Sequence, residues 1–276
     1  MESKAKPDKN VAVIMSVYRS DNPVHFKQAV DSILTQTANC DLYLYRDGVV
    51  SDLLQDLIDS YISSNALVLL SNDKNGGLAN ALNSLVDTIV DKGYDFIARM
   101  DSDDISHSDR IIKQIHYFEQ NLHVDICGTY CREFGASYAL EVKALPTLHN
   151  ELVNFSITRC PFIHPTVMFR TKVFSLGYRY PLATTLTEDM SFWFELLNAG
   201  FLFGNVNEVL LDYRLTESTV ERRKGFGKSL SEFSIRFSNM VKLKRVGFKN
   251  LTLIFARLLF HLLPTSLLKL AYKFSR

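Results

Sequence analysis

Cysteine is scarce in this chain of 276 residues. Cys40, Cys127, Cys131 and Cys160 are too few and too unevenly spaced for a disulfide framework. Cys127 and Cys131 stand four residues apart, with no C-x-x-C companion and no matching histidine spacing. That argues against zinc and for free thiols in a reducing compartment. A charge excess is also missing: 31 Lys and Arg against 30 Asp and Glu leave a formal net charge of +1. With no global attraction to polyanions, a nucleic-acid partner is not expected. The N-terminus, MESKAKPDKN, has no apolar leader, so the protein is expected to stay in the cytoplasm. Residues 251–272 form the densest apolar stretch, but Arg257, His261, Pro264 and Lys269 interrupt it. A spanning helix needs about 20 uninterrupted, mostly apolar residues. There is no G-K-[ST] phosphate loop and no G-x-G-x-x-G after the first apolar run, so P-loop and dinucleotide readings fall away. Internal repeats and low-complexity linkers are absent too.

What is present is a 47% apolar composition, enough for a sizeable core, and a regular alternation of element signals. Val11 to Val17 is a continuous apolar run of the kind buried on both faces of a parallel sheet. Pro23 opens a helix whose stripe is Phe26, Ala29, Val30, Ile33 and Leu34. Leu42 to Arg46 reads as a second strand, and Ser51 as the N-cap of a helix carrying Leu54, Leu57 and Ile58. Ala66 to Leu70 reads as a third strand, with a helix through Leu78 to Ile89. Phe96 to Ala98 begins a fourth strand. A helix starting at Ser106 or Ser108 follows, then a fifth strand from Val124 to Tyr130. Strands and helices in this rhythm imply βαβ units and a mostly parallel sheet with helices on both faces, an α/β fold.

Beyond residue 130 the rhythm changes. Phe134 to Ala144 reads as an antiparallel excursion, His149 to Thr158 as a short helix and Thr166 to Phe169 as a strand. Met190 to Ala199 is an apolar helix preceded by Thr187-Glu188-Asp189. Phe201 to Phe203 and Glu208 to Tyr213 read as two further strands.

In a parallel sheet the loops after the strands gather at one edge, where ligands of open α/β sheets bind. Four such loops carry chemistry: Tyr18 to Asp21, Arg46 to Gly48, Asn72 to Gly77 and Arg99 to Asp104. Asp101, Asp103 and Asp104 place three carboxylates in four residues. Such oxygen donors suit Mg²⁺ or Mn²⁺ shared with substrate phosphates, and a solvated acidic turn capping the next helix is the plainer alternative. Asp47 suits a hydrogen bond from a nucleobase N–H. Gly76-Gly77, at a helix start, lets backbone approach an anionic group, or is simply a turn.

The ordered set MSVYRSDNP, LYRDG, NDKNGGLANALN, ARMDSDDISHSDR, HPTVMFR, TEDMSFWFELL and LLDYR, over about residues 10 to 215, resembles family 2 inverting glycosyltransferases of the GT-A fold. It is most similar to bacterial enzymes that build O-antigen, capsular or exopolysaccharide repeat units. The resemblance implies that Asp47 contacts a uracil ring with Tyr18 beside it, and that Gly77 belongs to the donor site. Asp101 and Asp103 become the D-x-D acids, Asp103 on Mg²⁺ or Mn²⁺ and Asp101 on ribose or the metal shell. Asp189 becomes the general base that deprotonates the acceptor hydroxyl. Where many relatives carry an arginine this chain has Leu82, and Arg99 is expected to supply positive charge near the phosphates. The Q-x-x-R-W motif of processive synthases is absent, which implies addition of one sugar. The implied donor is a UDP-sugar, and the implied acceptor is a lipid-linked saccharide at the inner face of the cell membrane. A nucleotidyltransferase of related fold, or a non-catalytic nucleotide-sugar-binding subunit, are the alternatives.

Residues 1–220 are thus expected to form the catalytic domain, nucleotide-binding to about 130 and acceptor-binding beyond. Residues 221–276 form a basic, helical extension. Its cations include Arg222, Arg223, Lys242, Lys244, Arg245 and Lys249, and its apolar part is expected to form interfacial amphipathic helices or helices packed on the domain. His164 is expected near acceptor or diphosphate or in a structural role, and Tyr213, Arg214, Arg222 and Arg223 in a flap near the diphosphate.

Overall fold

A computed structural model describes residues 11–183, 187–217 and 226–260. Its centre is an eight-stranded mixed sheet of order β3-β2-β1-β4-β7-β6-β8-β5. The strands are β1 (Val11–Tyr18), β2 (Cys40–Asp47), β3 (Val68–Asn72), β4 (Phe96–Asp101), β5 (Ile105–Ser106), β6 (Ile126–Phe134), β7 (Met168–Arg170) and β8 (Phe203–Arg214). The first four strands of the order are parallel, as expected. Alternate residues of β1 face opposite layers because side chains of a strand alternate. Ala12 and Ile14 join one apolar core, and Val11, Val13, Met15 and Val17 the other.

The second core is closed by α1 (Pro23–Leu34), α2 (Asp52–Ser63) and α4 (Arg110–Gln120). The first is closed by α3 (Leu78–Ile89), α5 (His149–Ser156), the short α6 (Lys172–Ser175) and α7 (Glu188–Asn198). Asn22 caps α1 by accepting from the N–H groups of Val24 and His25 at 2.8 and 3.3 Å. Pro23 then enters the first turn, where a missing N–H costs nothing.

Several expectations change in the second half. β7 runs antiparallel to β4 and to β6, so it inverts the sheet between the two halves. The two strands expected over 201–213 are one 12-residue strand, β8. The register against β6 jumps from Thr129↔Val206 to Tyr130↔Val209. The polar Asn207-Glu208 pair sits at that irregularity, which is why the pattern reads as a break. The excursion at 134–144 narrows to a single antiparallel bridge, Cys131 to Lys143. β3 starts two residues later than expected and runs into polar Ser71-Asn72, and α4 begins at Arg110.

The last described helices, α8 (Phe226–Lys242) and α9 (Phe248–Phe260), pack on the catalytic unit. The buried Arg236 guanidinium donates to the carbonyls of Ser156 and Ile157 at the end of α5 (2.8 and 3.3 Å) and pairs with Glu232. Glu232 also pairs with Arg257 of α9 at 2.8 Å. Asn198, at the end of α7, donates to Asn239 at 2.7 Å. Among the described residues no helix is long and apolar enough to cross a membrane. Arg222, Arg223 and residues 261–276, with their share of the expected flap and amphipathic segment, lie outside the described residues.

Candidate active site at the strand ends

Parallel register brings the ends of β1, β2, β3 and β4 to one edge: Tyr18 lies beside Asp47, Asp47 beside Asn72, and Ser16 beside Asp101. Tyr18 is 39% exposed there, an open aromatic face. Asp47 is only 3% exposed. Its carboxylate accepts from Gly76 N–H at 2.7 Å, Gly77 N–H at 2.9 Å and Asn75 Nδ2 at 3.0 Å. Asp47 therefore holds the loop that starts α3. Gly77 caps that helix at φ +85°, a conformation glycine adopts without strain. Leu82, where an arginine was considered, is buried core.

β4 delivers the acids. Arg99, expected to face phosphates, is 1% exposed; it pairs with Asp101 and donates to the Met100 carbonyl. Its positive charge reaches the edge through Asp101 rather than as an open guanidinium. A carboxylate oxygen from each of Asp101, Asp103 and Asp104 lies within 4.8 Å of the others. Asp103 reaches solvent, yet lost hydration and the charges of Asp101 and Asp21 push its carboxyl up to about 6. Asp104, 1% exposed, accepts from the Arg214 backbone N–H at 2.7 Å, and its Oδ2 is buried without a hydrogen-bond partner. Burial first, then Asp101 and Asp103, raise its carboxyl well above the ordinary range. Hard carboxylate oxygens on adjacent residues fit a divalent cation of the Mg²⁺ or Mn²⁺ type, which takes a few carboxylates and completes its sphere with phosphate and water.

Two further groups meet the acids: Asp21, expected only as part of the loop after the first strand, and Arg214, expected in a flap near the diphosphate. Asp21 accepts from Tyr18 N–H at 3.0 Å and from Ser102 Oγ at 2.8 Å, tying the loop after β1 to the acidic loop. Burial pushes its carboxyl up to about 6. Arg214, which ends β8, donates from Nε to the Asp103 carbonyl and from Nη2 to Gln28, each at 2.7 Å, and stacks 4.5 Å over Phe134. It braces the acidic loop from the far side of the sheet order. Asp21 follows the first strand at the distance of a tight turn, a cue available in sequence. Arg214 ends β8 rather than a flap, and its contacts with Asp103 and Asp104 come from the strand pairing, which sequence spacing does not contain.

Asp189 lies in the first turn of α7, where its Oδ1 accepts from Met190 N–H at 2.7 Å and the helix dipole favours the ionised form. Tyr180 connects it to the acids: this buried phenol lies within electrostatic reach of Arg99, Asp189, Asp101 and Glu188 together. Asn83 of α3 fixes the Tyr180 backbone with both amide atoms, at 2.8 and 2.9 Å. His164 Nε2 meets the Tyr180 hydroxyl at 3.2 Å, and its ring packs edge-on against Trp193 of α7. Burial, then the Arg99 charge, hold His164 well below its usual pKa, so the imidazole is neutral.

A mixed α/β sheet with acids at its parallel strand ends and helices on both faces is the architecture of the GT-A fold. Comparison with known proteins agrees. The profile of Glycosyl transferase family 2 matches residues 12–183, and the chain belongs to that family. It is 31% identical over 269 residues to the amylovoran biosynthesis glycosyltransferase AmsE of Erwinia amylovora, covering 96% of this chain and 98% of AmsE. It is 29% identical to the UDP-Gal:alpha-D-GlcNAc-diphosphoundecaprenol beta-1,3-galactosyltransferase of Escherichia coli, covering 95% of this chain and 94% of that enzyme. Among solved structures, S. aureus TarS 1-349 in complex with UDP-GlcNAc superposes with a TM-score of 0.63 at 15% identity over 91% of this chain and 72% of that one. The chain spans 43% of a longer TarS structure.

Proposed function

We propose that this glycosyltransferase moves one sugar from a UDP-sugar to a lipid-linked saccharide in the assembly of a bacterial surface polysaccharide. The observation that carries the reading is the convergence of Tyr18, Asp47 and the acids after β4 on one sheet edge, with Asp189 and Asp101 both within electrostatic reach of the buried Tyr180 phenol. The names of the curated relatives, which include a UDP-galactose enzyme with a diphosphoundecaprenol acceptor, support the donor and acceptor classes.

In this reading Tyr18 offers its ring to the base, and Asp47 holds the 75–77 loop against which donor groups rest. Asp103 and Asp101 hold Mg²⁺ or Mn²⁺, which when bound neutralises charge on the departing nucleotide diphosphate. Arg99, buried behind Asp101, pairs with that carboxylate and orients it. Asp189 accepts the proton of the acceptor hydroxyl as it attacks the anomeric carbon, and a single displacement inverts the configuration. Neutral His164 and the phenol of Tyr180 add an uncharged contact pair within electrostatic reach of Arg99. The acids on β4 serve the leaving group and the acid on α7 serves the nucleophile, so the two charges act at opposite ends of one displacement.

In this reading the enzyme works at a membrane surface. Residues 226–260 contain a single acid, Glu232, and it is buried between two arginines. Leu230, Phe237 and Val241 form an exposed stripe on α8, and Phe248, Leu253 and Phe255 are exposed on α9. Lys242, Lys244 and Lys249 flank them, a composition that suits an anionic lipid surface. A panel of nucleotide sugars tests the proposal, with metal-dependent transfer to a diphosphopolyprenyl saccharide as the readout. A preference for a UDP-sugar is expected; equal turnover without nucleotide sugar discrimination, or no transfer to any lipid-linked acceptor, defeats it.

A further inference from the structure

The acidic loop contains a carboxylate that its own surroundings leave half satisfied. Asp104 is 1% exposed, and one oxygen accepts from the Arg214 backbone N–H at 2.7 Å. The other, Oδ2, is buried with no hydrogen-bond partner. A buried polar oxygen left without a partner carries a full desolvation penalty, larger still for a charged group. Such a group is met in native structures by a water, a proton or an ion. Asp104 is also one of the three acids whose carboxylate oxygens lie within 4.8 Å of one another.

The neighbouring acids offer a cation fewer oxygens than their number suggests. Asp101 has one oxygen committed to the buried Arg99 guanidinium, so it has a single oxygen left to offer a cation. Asp101 and Asp103 both reach solvent, and the Asp103 carbonyl accepts from Arg214 Nε. Without nucleotide phosphates in place, a cation here has only carboxylate and water oxygens to draw on, and a third carboxylate beside the first two adds one more hard donor. The Arg214 N–H fixes one Asp104 oxygen, so the side chain is ordered before any cation arrives.

We propose that Asp104 is a direct ligand of the divalent cation, completing a set with Asp103 and the free oxygen of Asp101. This deepens the metal-assisted reading above and rests on it. It also gives the cation a structural consequence. Asp104 binds Arg214, and Arg214 braces Asp103 and Gln28, so cation binding tightens the junction between the acidic loop and the end of β8.

The test is Mn²⁺ binding to the full chain without nucleotide, read by calorimetry and by the electron paramagnetic resonance of free Mn²⁺. Asp104→Asn keeps the shape and an acceptor for Arg214 N–H but removes the anionic ligand. Asp103→Asn is the companion variant. Loss of at least about tenfold in Mn²⁺ affinity is expected for Asp104→Asn, as for Asp103→Asn, with the metal-free melting temperature held or raised. The rise in melting temperature on adding Mn²⁺ should shrink in step. If Asp104→Asn binds Mn²⁺ as the parent does while Asp103→Asn does not, Asp104 is a protonated structural acid and the proposal fails while the metal reading stands. If neither variant weakens binding, both fail. Should Asp104→Asn not fold, Asp104→Ser is read in the same way.

Discussion

Replacing Asp47 separates two roles that one buried carboxylate can play. Its oxygens accept from Gly76 N–H, Gly77 N–H and Asn75 Nδ2 at 2.7, 2.9 and 3.0 Å. Hydrogen bonds to charged groups contribute about 1.5–3 kcal/mol each when the abandoned partner stays dry. Here Gly76 and Asn75 are exposed, so water replaces part of what is lost. About 1 kcal/mol per bond is the reasonable figure, and Asp47→Ala should cost about 3 kcal/mol. Asp47→Asn keeps one acceptor but turns an amide N–H₂ toward a backbone N–H, and should cost about 1–2 kcal/mol. Denaturant titration gives the stability change, provided the slope is unchanged. Hydrogen exchange at Gly76 and Gly77 should accelerate locally in both variants. UDP affinity should fall only as far as the loop loosens. An alanine variant within about 0.5 kcal/mol of the parent would refute the anchoring role. So would an asparagine variant that loses UDP affinity with unchanged exchange at both glycines, since Asp47 would then be touching the base itself.

Asp189→Asn should leave UDP binding intact and lower transfer by about a hundredfold or more, in line with loss of a general base; unchanged transfer removes Asp189 from that role. Arg236→Met leaves the Ser156 and Ile157 carbonyls without their donor and should cost about 3–5 kcal/mol in a thermal or denaturant melt; a change under about 1 kcal/mol would show that α8 is not held through this residue. Asp21 has its pKa raised by burial from 3.8 to about 6, so the folded state binds that proton more tightly than the unfolded chain does. Its contribution to stability is complete below about pH 4 and lost as pH rises through about 6. Asp103 and Asp104 are raised in the same direction, so the metal-free protein should be more stable near pH 5 than near pH 7.5 and Asp21→Asn should remove part of that slope; a slope unchanged by Asp21→Asn, or a parent profile that rises across this window, contradicts the assignment. Phe237→Glu combined with Val241→Glu should weaken sedimentation with anionic vesicles while preserving the melting temperature, because both side chains are exposed; undiminished vesicle binding excludes that face.

Sequence alone determined the parallel half of the sheet and the order of the site's main parts. β1 and β4 are buried on both faces, so their apolar runs are continuous and end sharply at polar residues. The helices between them carry their stripes at helical spacing, and their loops must fall on one edge once the strands are parallel. That is why Tyr18, Asp47, Gly77 and the acids of β4 could be gathered without coordinates. Only the tertiary structure decided what those groups touch. Strand polarity in β7 and the continuity of β8 through Asn207-Glu208 depend on partners far away in the chain. The burial of Arg99 behind Asp101, the capture of Asp47 by the glycine loop and the arrival of Arg214 at Asp103 and Asp104 depend on the same distant pairings. Local pattern records which residues leave water, because that is set by periodicity. It does not record which buried polar group meets which, because those meetings are made between elements that may lie 100 residues apart, as Arg214 and Asp104 do at a separation of 110.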